Sequence, residues 1–333
     1  LITQSPVTSH QSPVTSHQSP VTSHQSPVTS HQSPVTSHQS PVPSPQSPNK
    51  ITWSNYVNFP TIYQESARLR RLDDNYQTYL NRVARMTLPE SYKTQVQHIQ
   101  ESYKFKPVDG VRKPAPFPGY TLITPPAAED TQNADFYSQI ETFQRSLLEL
   151  PINSDLIVPL PPASFHFTLA DLIWDHAYIH ATEKNPQFEQ DLNTCLGNLF
   201  KQYQQLRGEV SNPISWQMLG LIVMPRALAV CLIPKDERSY EEIIQLRRLI
   251  YQNRKLMGLG IEQHYHFTAH VTLGYFGEIP TDLDRVQLSN LLSELNQQWL
   301  LNFPEIVIHQ AELRKFDDMT AYYRQPDFTS LEF

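Results

Sequence analysis

The sequence predicts an α+β chain with an internal duplication. Two observations lead there. From about residue 120 onward, short alternating or continuous apolar runs interleave with segments whose apolar residues recur at spacings of three and four, the marks of strands and amphipathic helices. In addition, two stretches about a hundred residues apart read apolar-His-apolar-Thr-Leu: Phe165-His166-Phe167-Thr168-Leu169 and Ala269-His270-Val271-Thr272-Leu273. Each sits in a similar neighbourhood of strands and a helix.

Residues 4–38 are five copies of Gln-Ser-Pro-Val-Thr-Ser-His, decaying into a Ser-Pro-rich run that ends at residue 49. A proline in every copy forbids a continuous helix, and one valine per copy cannot offset the entropy of ordering. Residues 1–49 are expected to be a disordered tail, in which His10, His17, His24, His31 and His38 offer at most weak metal chelation. Residues 50–114 form the next region. Helical spacing marks 67–72, 76–86 and a helix from Pro89 to about residue 105, with Arg68, Arg70, Arg71, Arg82 and Arg85 as a solvated face or a basic patch. The prolines of 107–118 read as a linker.

The remaining region, 115–333, begins with a strand at 120–124, a helix at 135–150 and a strand at 156–160 leading into a strand through His166. A helix over 171–208, broken at Asn185-Pro186, is followed by a hairpin of 214–224 and 228–233 turning at Pro225-Arg226. A helix at 240–257 is ended by Gly258-Leu259-Gly260. Next come the strand at 264–276, a helix at 282–300, and strands at 305–313 and 319–323.

A chain of 333 residues can hold one or two domains with sizeable cores. The net charge of −7 argues against a broadly basic nucleic-acid surface. Charge is uneven: residues 50–114 carry about +5 and the rest about −12. Cys195 and Cys231 make no disulfide framework and no zinc site, and Cys231 lies in an apolar run. The apolar run 219–234 is interrupted by Pro225-Arg226, each half being too short to span a bilayer, and no signal-peptide pattern opens the chain. The expectation is a cytoplasmic protein.

Strand alternation would place His264, His266, Thr268, His270 and Thr272 on one face of 264–276, with Tyr265, Phe267, Ala269, Val271 and Leu273 on the core face. In the earlier strand Ser164, His166 and Thr168 share a face. Two histidines across one cleft suit paired acid–base chemistry near neutral pH, one taking a proton and the other giving one. A threonine two residues along can donate to a phosphoryl oxygen, so two such pairs would grip a phosphodiester. Phe276 shares parity with His270 and Thr272, and is either a base-stacking residue or a core aromatic.

The pair His166-Phe167-Thr168-Leu169 and His270-Val271-Thr272-Leu273 resembles the signature of the 2H phosphoesterase superfamily, which includes RNA 2′,3′-cyclic phosphodiesterases and the so-called 2′-5′ RNA ligases. The lead-in Leu160-Pro161-Pro162-Ala163-Ser164-Phe165 and the run Val271-Thr272-Leu273-Gly274-Tyr275-Phe276 are similar to its bacterial and cyanobacterial branch of unsettled substrate. The resemblance covers residues 115–333. It implies a bilobal α+β fold of two antiparallel sheets with flanking helices, related by a pseudo-two-fold axis, with one His-x-Thr in each lobe. It implies a phosphoric diester hydrolase needing no metal or other cofactor, with His166 and His270 as acid and base in either order. Thr168 and Thr272, with Phe276, would bind substrate. RNA-acting relatives often carry arginine where this chain has Tyr275, which favours a small nucleotide or cyclic phosphate over long RNA. His266-Phe267-Thr268 competes with His270-Val271-Thr272 as the second motif; Leu273, matching Leu169, favours the latter.

Two other readings of the residues stand beside this one. His264, His266 and His270 have ligand-like spacing, and His176 and His180 lie at i, i+4 near Asp171 and Asp175, as in a metal-dependent hydrolase. No glutamate sits between the helical pair, so the metalloprotease pattern fails. Alternatively the fold binds nucleotides without cleaving them, or serves as a platform whose tail and basic helices dock a partner.

Overall fold

The structure, a computed structural model, describes residues 73–208, 212–299 and 304–333. The tail and the basic run containing Arg68, Arg70 and Arg71 lie outside the described residues. No helix among the described residues is long and apolar enough to cross a membrane.

The strongest apolar text in the chain makes its central hairpin. β6 (Ile214–Val223) and β7 (Ala227–Pro234) pair antiparallel, and nearly all their side chains are buried. They are flanked by β9 (Glu305–Ile308) on one side and β8 (His270–Phe276) then β4 (Ile157–Pro159) on the other, giving a five-stranded sheet of order β4-β8-β7-β6-β9. A four-stranded sheet has the order β11-β10-β3-β5, from Ser330–Glu332, Gln310–Phe316, Gly119–Ile123 and Thr168–Trp174. Every pairing in both is antiparallel. The molecule is thus α+β with several antiparallel sheets.

Helices α1 (Tyr76–Met86) and α2 (Pro89–Gln95) precede the sheets in the chain. They are followed by α3 (Ala134–Leu148), α4 (Asp175–Lys184), α5 (Phe188–Arg207), α6 (Glu237–Tyr251), α7 (Arg254–Gly258) and α8 (Arg285–Trp299). The helix expected over 171–208 gives its first residues to β5. Residues 319–323 form only an isolated bridge, between Lys315 and Tyr323. The proline-rich stretch expected as a linker instead carries a hairpin, β1 (Phe105–Val108) and β2 (Val111–Pro114), turned at Asp109-Gly110 where both residues have positive φ. Dipeptide Asp-Gly is a hairpin signal that the prolines around it masked.

α1 and α2 join the core through tyrosines. Tyr79 is fully buried; its hydroxyl donates to the Leu232 carbonyl at 2.8 Å and accepts from the Ala269 amide at 3.2 Å. Tyr92 donates to Leu221 O at 2.6 Å. Arg82, one of the arginines expected to form a solvated face or a basic patch, is paired with Asp74 at 2.7 Å and donates to Thr268 Oγ1 at 2.8 Å. The burial of an aromatic ring and the satisfaction of its hydroxyl together fix α1 against the backbone that leads into His270.

Candidate active site

Neither His-x-Thr segment is the uninterrupted strand that alternation predicts. Pro162–Ser164 makes a 3-10 turn, and β5 starts only at Thr168, so His166 lies in the connecting loop. Ser164 still lines the cleft, but its hydroxyl is engaged, donating to Pro161 O at 2.7 Å. Likewise β8 starts at His270, and residues 264–269 are irregular. That breaks the row of polar residues expected on one face. His264 packs on Trp174, His266 is exposed with Asp74 3.7 Å away, and Thr268 is held by Arg82. The three histidines of the metal reading therefore do not converge. His176 and His180 are exposed on α4. Among the described residues no group of three His, Cys, Asp or Glu side chains is arranged to hold a metal ion.

What does converge is the pair of motifs. Phe167 and Phe267 stack with centroids 6.1 Å apart, and both lie edge-on to Trp216. This buried aromatic contact draws the loop before β5 to the loop before β8. His166, Thr168, His270 and Thr272 all line one cavity of about 390 Å³, together with Asp171, Trp174, Lys104, Tyr275 and Tyr322.

Bulges aim these side chains. In the β3–β5 register Ile123, Leu122, Thr121 and Tyr120 face Thr168, Ala170, Asp171 and Ile173, so Leu169 and Leu172 are extra residues. Each extra residue reverses the alternation. Thr168, Asp171 and Trp174, three apart, consequently share the cavity face. In β8 Thr272 faces Ala229 and Gly274 faces Leu228, leaving Leu273 extra. The reversal brings Tyr275 to the cavity wall and turns Phe276 into the core, where it is 1 % exposed. The expected base-stacking role of Phe276 is corrected accordingly: it is a core aromatic.

A bulge leaves backbone groups outside the ladder, and buried ones need partners. Arg247, buried on α6, donates to Leu169 O at 2.8 Å. Gln144, buried on α3, donates to Leu273 O at 2.7 Å and Leu160 O at 2.8 Å. Sequence reasoning missed both. Their signal was a polar residue on an apolar helical stripe, Gln144 among Ile140, Phe143 and Leu147, and Arg247 among Ile243, Ile244 and Ile250. Lys104 and Tyr322 were missed as well, and nothing in their local sequence marks them.

The two histidines are held identically. His166 Nδ1 lies 2.7 Å from Ser164 O, and His270 Nδ1 lies 2.7 Å from Thr268 O. A carbonyl only accepts, so each Nδ1 carries a proton and each Nε2 is left for proton exchange. Burial pushes His166 down to about 4; its carbonyl bond opposes this, while the charges of His270 and Arg314 add to it. Burial also lowers His270, opposed by the Thr268 carbonyl and by Asp171, and reinforced by Lys104. The arrangement can present one neutral imidazole as a base and a second imidazole as an acid, with two threonines lining the same cavity.

No protein-family model matches the chain, and no curated protein matches it. Among solved structures, one that it resembles is a conserved protein of unknown function from Agrobacterium tumefaciens, at 14% identity over 70% of this chain and 96% of the other, with a TM-score of 0.46. Another is a crystal structure of a phosphoesterase, at 13% identity over 66% of this chain and 100% of that one, with a TM-score of 0.33. Likenesses of this degree carry no argument about function, which rests on the site itself.

Proposed function

We propose that the protein is a metal-independent phosphodiesterase of the 2H type, acting on a 2′,3′-cyclic phosphate or a related small nucleotide phosphodiester. One observation carries this reading: His166-x-Thr168 and His270-x-Thr272, at the heads of strands in two different sheets, line one cavity with matching Nδ1–carbonyl bonds. The repetition of the motif in two sheets also fits a bilobal, pseudo-symmetric design over residues 115–333. In the reaction, water attacks phosphorus and gives its proton to one imidazole, while the other protonates the ribose oxygen as its bond to phosphorus breaks. Thr168 and Thr272 hold the non-bridging oxygens. The lowering of His166 to about 4 keeps it neutral and suits it as the base, and the charge of Asp171, which favours protonated His270, suits that residue as the acid.

The test is hydrolysis of 2′,3′-cyclic nucleotides and short cyclic-phosphate-ended RNAs in EDTA, by wild type, His166→Ala, His270→Ala and His266→Ala. Turnover lost in the first two variants and kept in the third is expected. Turnover that needs added metal, or that survives loss of both cavity histidines, would falsify the reading.

A further inference from the structure

Lys104 reaches the cavity from outside both His-x-Thr segments, on a wall that also carries Asp171 and Arg226. Lys104 precedes β1, and its backbone is pinned on either side. The Ser102 amide donates to Phe276 O at 2.8 Å, and Lys104 O accepts from the Ala115 amide at 2.9 Å. The side chain lies against the end of β8. Its Nζ is 4.5 Å from the Phe117 ring centroid and 4.9 Å from that of Tyr275, with Tyr275 Oη at 3.3 Å and Met319 Sδ at 3.2 Å.

These neighbours are all neutral. Two aromatic faces, a phenol and a thioether steady a cation without discharging it. No ion pair among the described residues includes Lys104, although it is partly buried and has three N–H donors to place. A partly buried ammonium with no carboxylate within ion-pair distance, on the wall of a cavity, is poised for an anionic ligand. It is also close enough to His270 to oppose that ring's protonation, which puts it near the reacting end of the cavity.

We propose that Lys104 is the anion-binding residue of this cavity, taking the charged phosphoryl oxygens of the ligand, so that the site holds a phosphomonoester product more tightly than the diester it came from. This deepens the phosphodiesterase reading and rests on it for the order of substrate and product. Opening a cyclic phosphate forms a bond from the water oxygen to phosphorus, breaks one bond to ribose oxygen, and leaves a monoester. That monoester loses its second proton near a pKa of about 6, whereas the cyclic diester carries one charge throughout. A point cation with no carboxylate within ion-pair distance gains most from the additional charge.

The experiment is calorimetric titration of the full chain with adenosine 2′-monophosphate, adenosine and inorganic phosphate, using wild type, Lys104→Met and Lys104→Arg. Lys104→Met is expected to weaken monophosphate binding by about tenfold or more and to leave adenosine unchanged, as loss of a charge-assisted contact should. Lys104→Arg keeps the charge and is expected to stay within about threefold of wild type. Product inhibition of cyclic nucleotide hydrolysis should ease in the methionine variant alone. The proposal is overturned if Lys104→Met, with an unchanged melting temperature, binds phosphate as wild type does, or weakens nucleoside and nucleotide equally. Lys104-dependent phosphate binding in a wild type that cleaves no cyclic nucleotide would uphold the anion site and sink the phosphodiesterase reading; turnover with Lys104-independent phosphate binding would do the reverse.

Discussion

Gln144 and Leu273 are joined across 129 residues of sequence by one hydrogen bond, from the Gln144 side-chain nitrogen to the Leu273 carbonyl at 2.7 Å. The carbonyl belongs to the extra residue of β8, and the glutamine is its second donor beside the Leu160 amide at 3.0 Å. The same nitrogen serves Leu160 O, on the chain leading to the 3-10 turn before His166. One helical side chain therefore supports the backbone that leads into the first motif and the backbone that leaves the second.

Replacing it with methionine, similar in length and unable to donate, leaves two buried carbonyls without this donor. Gln144→Met should lower stability by about 2 kcal/mol, the usual cost of stranding buried polar groups. Leu160 O loses its side-chain donor, while Leu273 O retains the Leu160 amide at 3.0 Å. Denaturant unfolding measures this directly. An unchanged midpoint would mean that the bulge does not depend on Gln144.

The acid and base assignments separate by leaving group. A nitrophenolate departs without being protonated, so a nitrophenyl phosphodiester removes the need for the acid. His270→Ala should lose about 10²–10⁴-fold on a cyclic nucleotide and much less on the nitrophenyl ester, whereas His166→Ala should lose similar factors on both. The opposite pattern exchanges the two roles.

The bulge at Leu273 makes neighbouring residues respond differently. Phe276→Ala empties a core position and should cost about 3–5 kcal/mol. Its folded fraction, assayed at low temperature, should keep the wild-type KM. Tyr275→Phe removes only a hydroxyl at the cavity wall, so it should melt near wild type and shift ligand affinity. If Phe276→Ala raises KM in fully folded protein, Phe276 belongs to the site after all.

Activity should follow the lowered histidines. The productive state has one imidazole neutral and the other protonated, so kcat/KM should be bell-shaped with an optimum below pH 6.5. Its acid limb falls near pH 4, where His166 protonates, and its alkaline limb falls where His270 loses its proton. A bound phosphate anion favours both protonated forms, so the limbs of kcat should lie at higher pH than those of kcat/KM. Stability carries a matching sign. His166 titrates lower folded than unfolded, so the unfolded chain binds more protons between about pH 4 and 6.5. Its contribution to stability is present above that window and is lost as pH falls through it. Denaturant midpoints across pH 4–7 would expose a contrary trend.

Much of this was legible in the text of the chain. The central hairpin, α3, α6 and α8 were marked by apolar periodicity, which reports burial directly. His166, Thr168, His270 and Thr272 were marked by a repeated motif, and the structure brings all four to one cavity. Parity put Phe276 on the face of His270 because it assumes an unbroken ladder, and a single extra residue inverts it, leaving the core-aromatic alternative. The hairpin at Asp109-Gly110 was hidden by prolines that normally interrupt strands; here Pro107 and Pro114 lie within a two-stranded sheet, in which both strands are edges. Lys104 and Tyr322 reach the cavity through tertiary packing alone, Tyr322 with its ring centroid 4.2 Å from that of His166, and no local pattern records such contacts.

The paired Nδ1–carbonyl bonds have a consequence for repeated turnover. Because neither imidazole releases its Nδ1 proton, all proton traffic passes through the two Nε2 atoms. In the proposed hydrolysis one ring ends a cycle with a proton gained and the other with a proton lost. The protein then stands in the mirror image of its starting state, and must be re-primed by exchange with solvent or buffer before the next substrate is cut. At high substrate concentration, added imidazole buffer should therefore quicken steady-state turnover without altering a single-turnover burst.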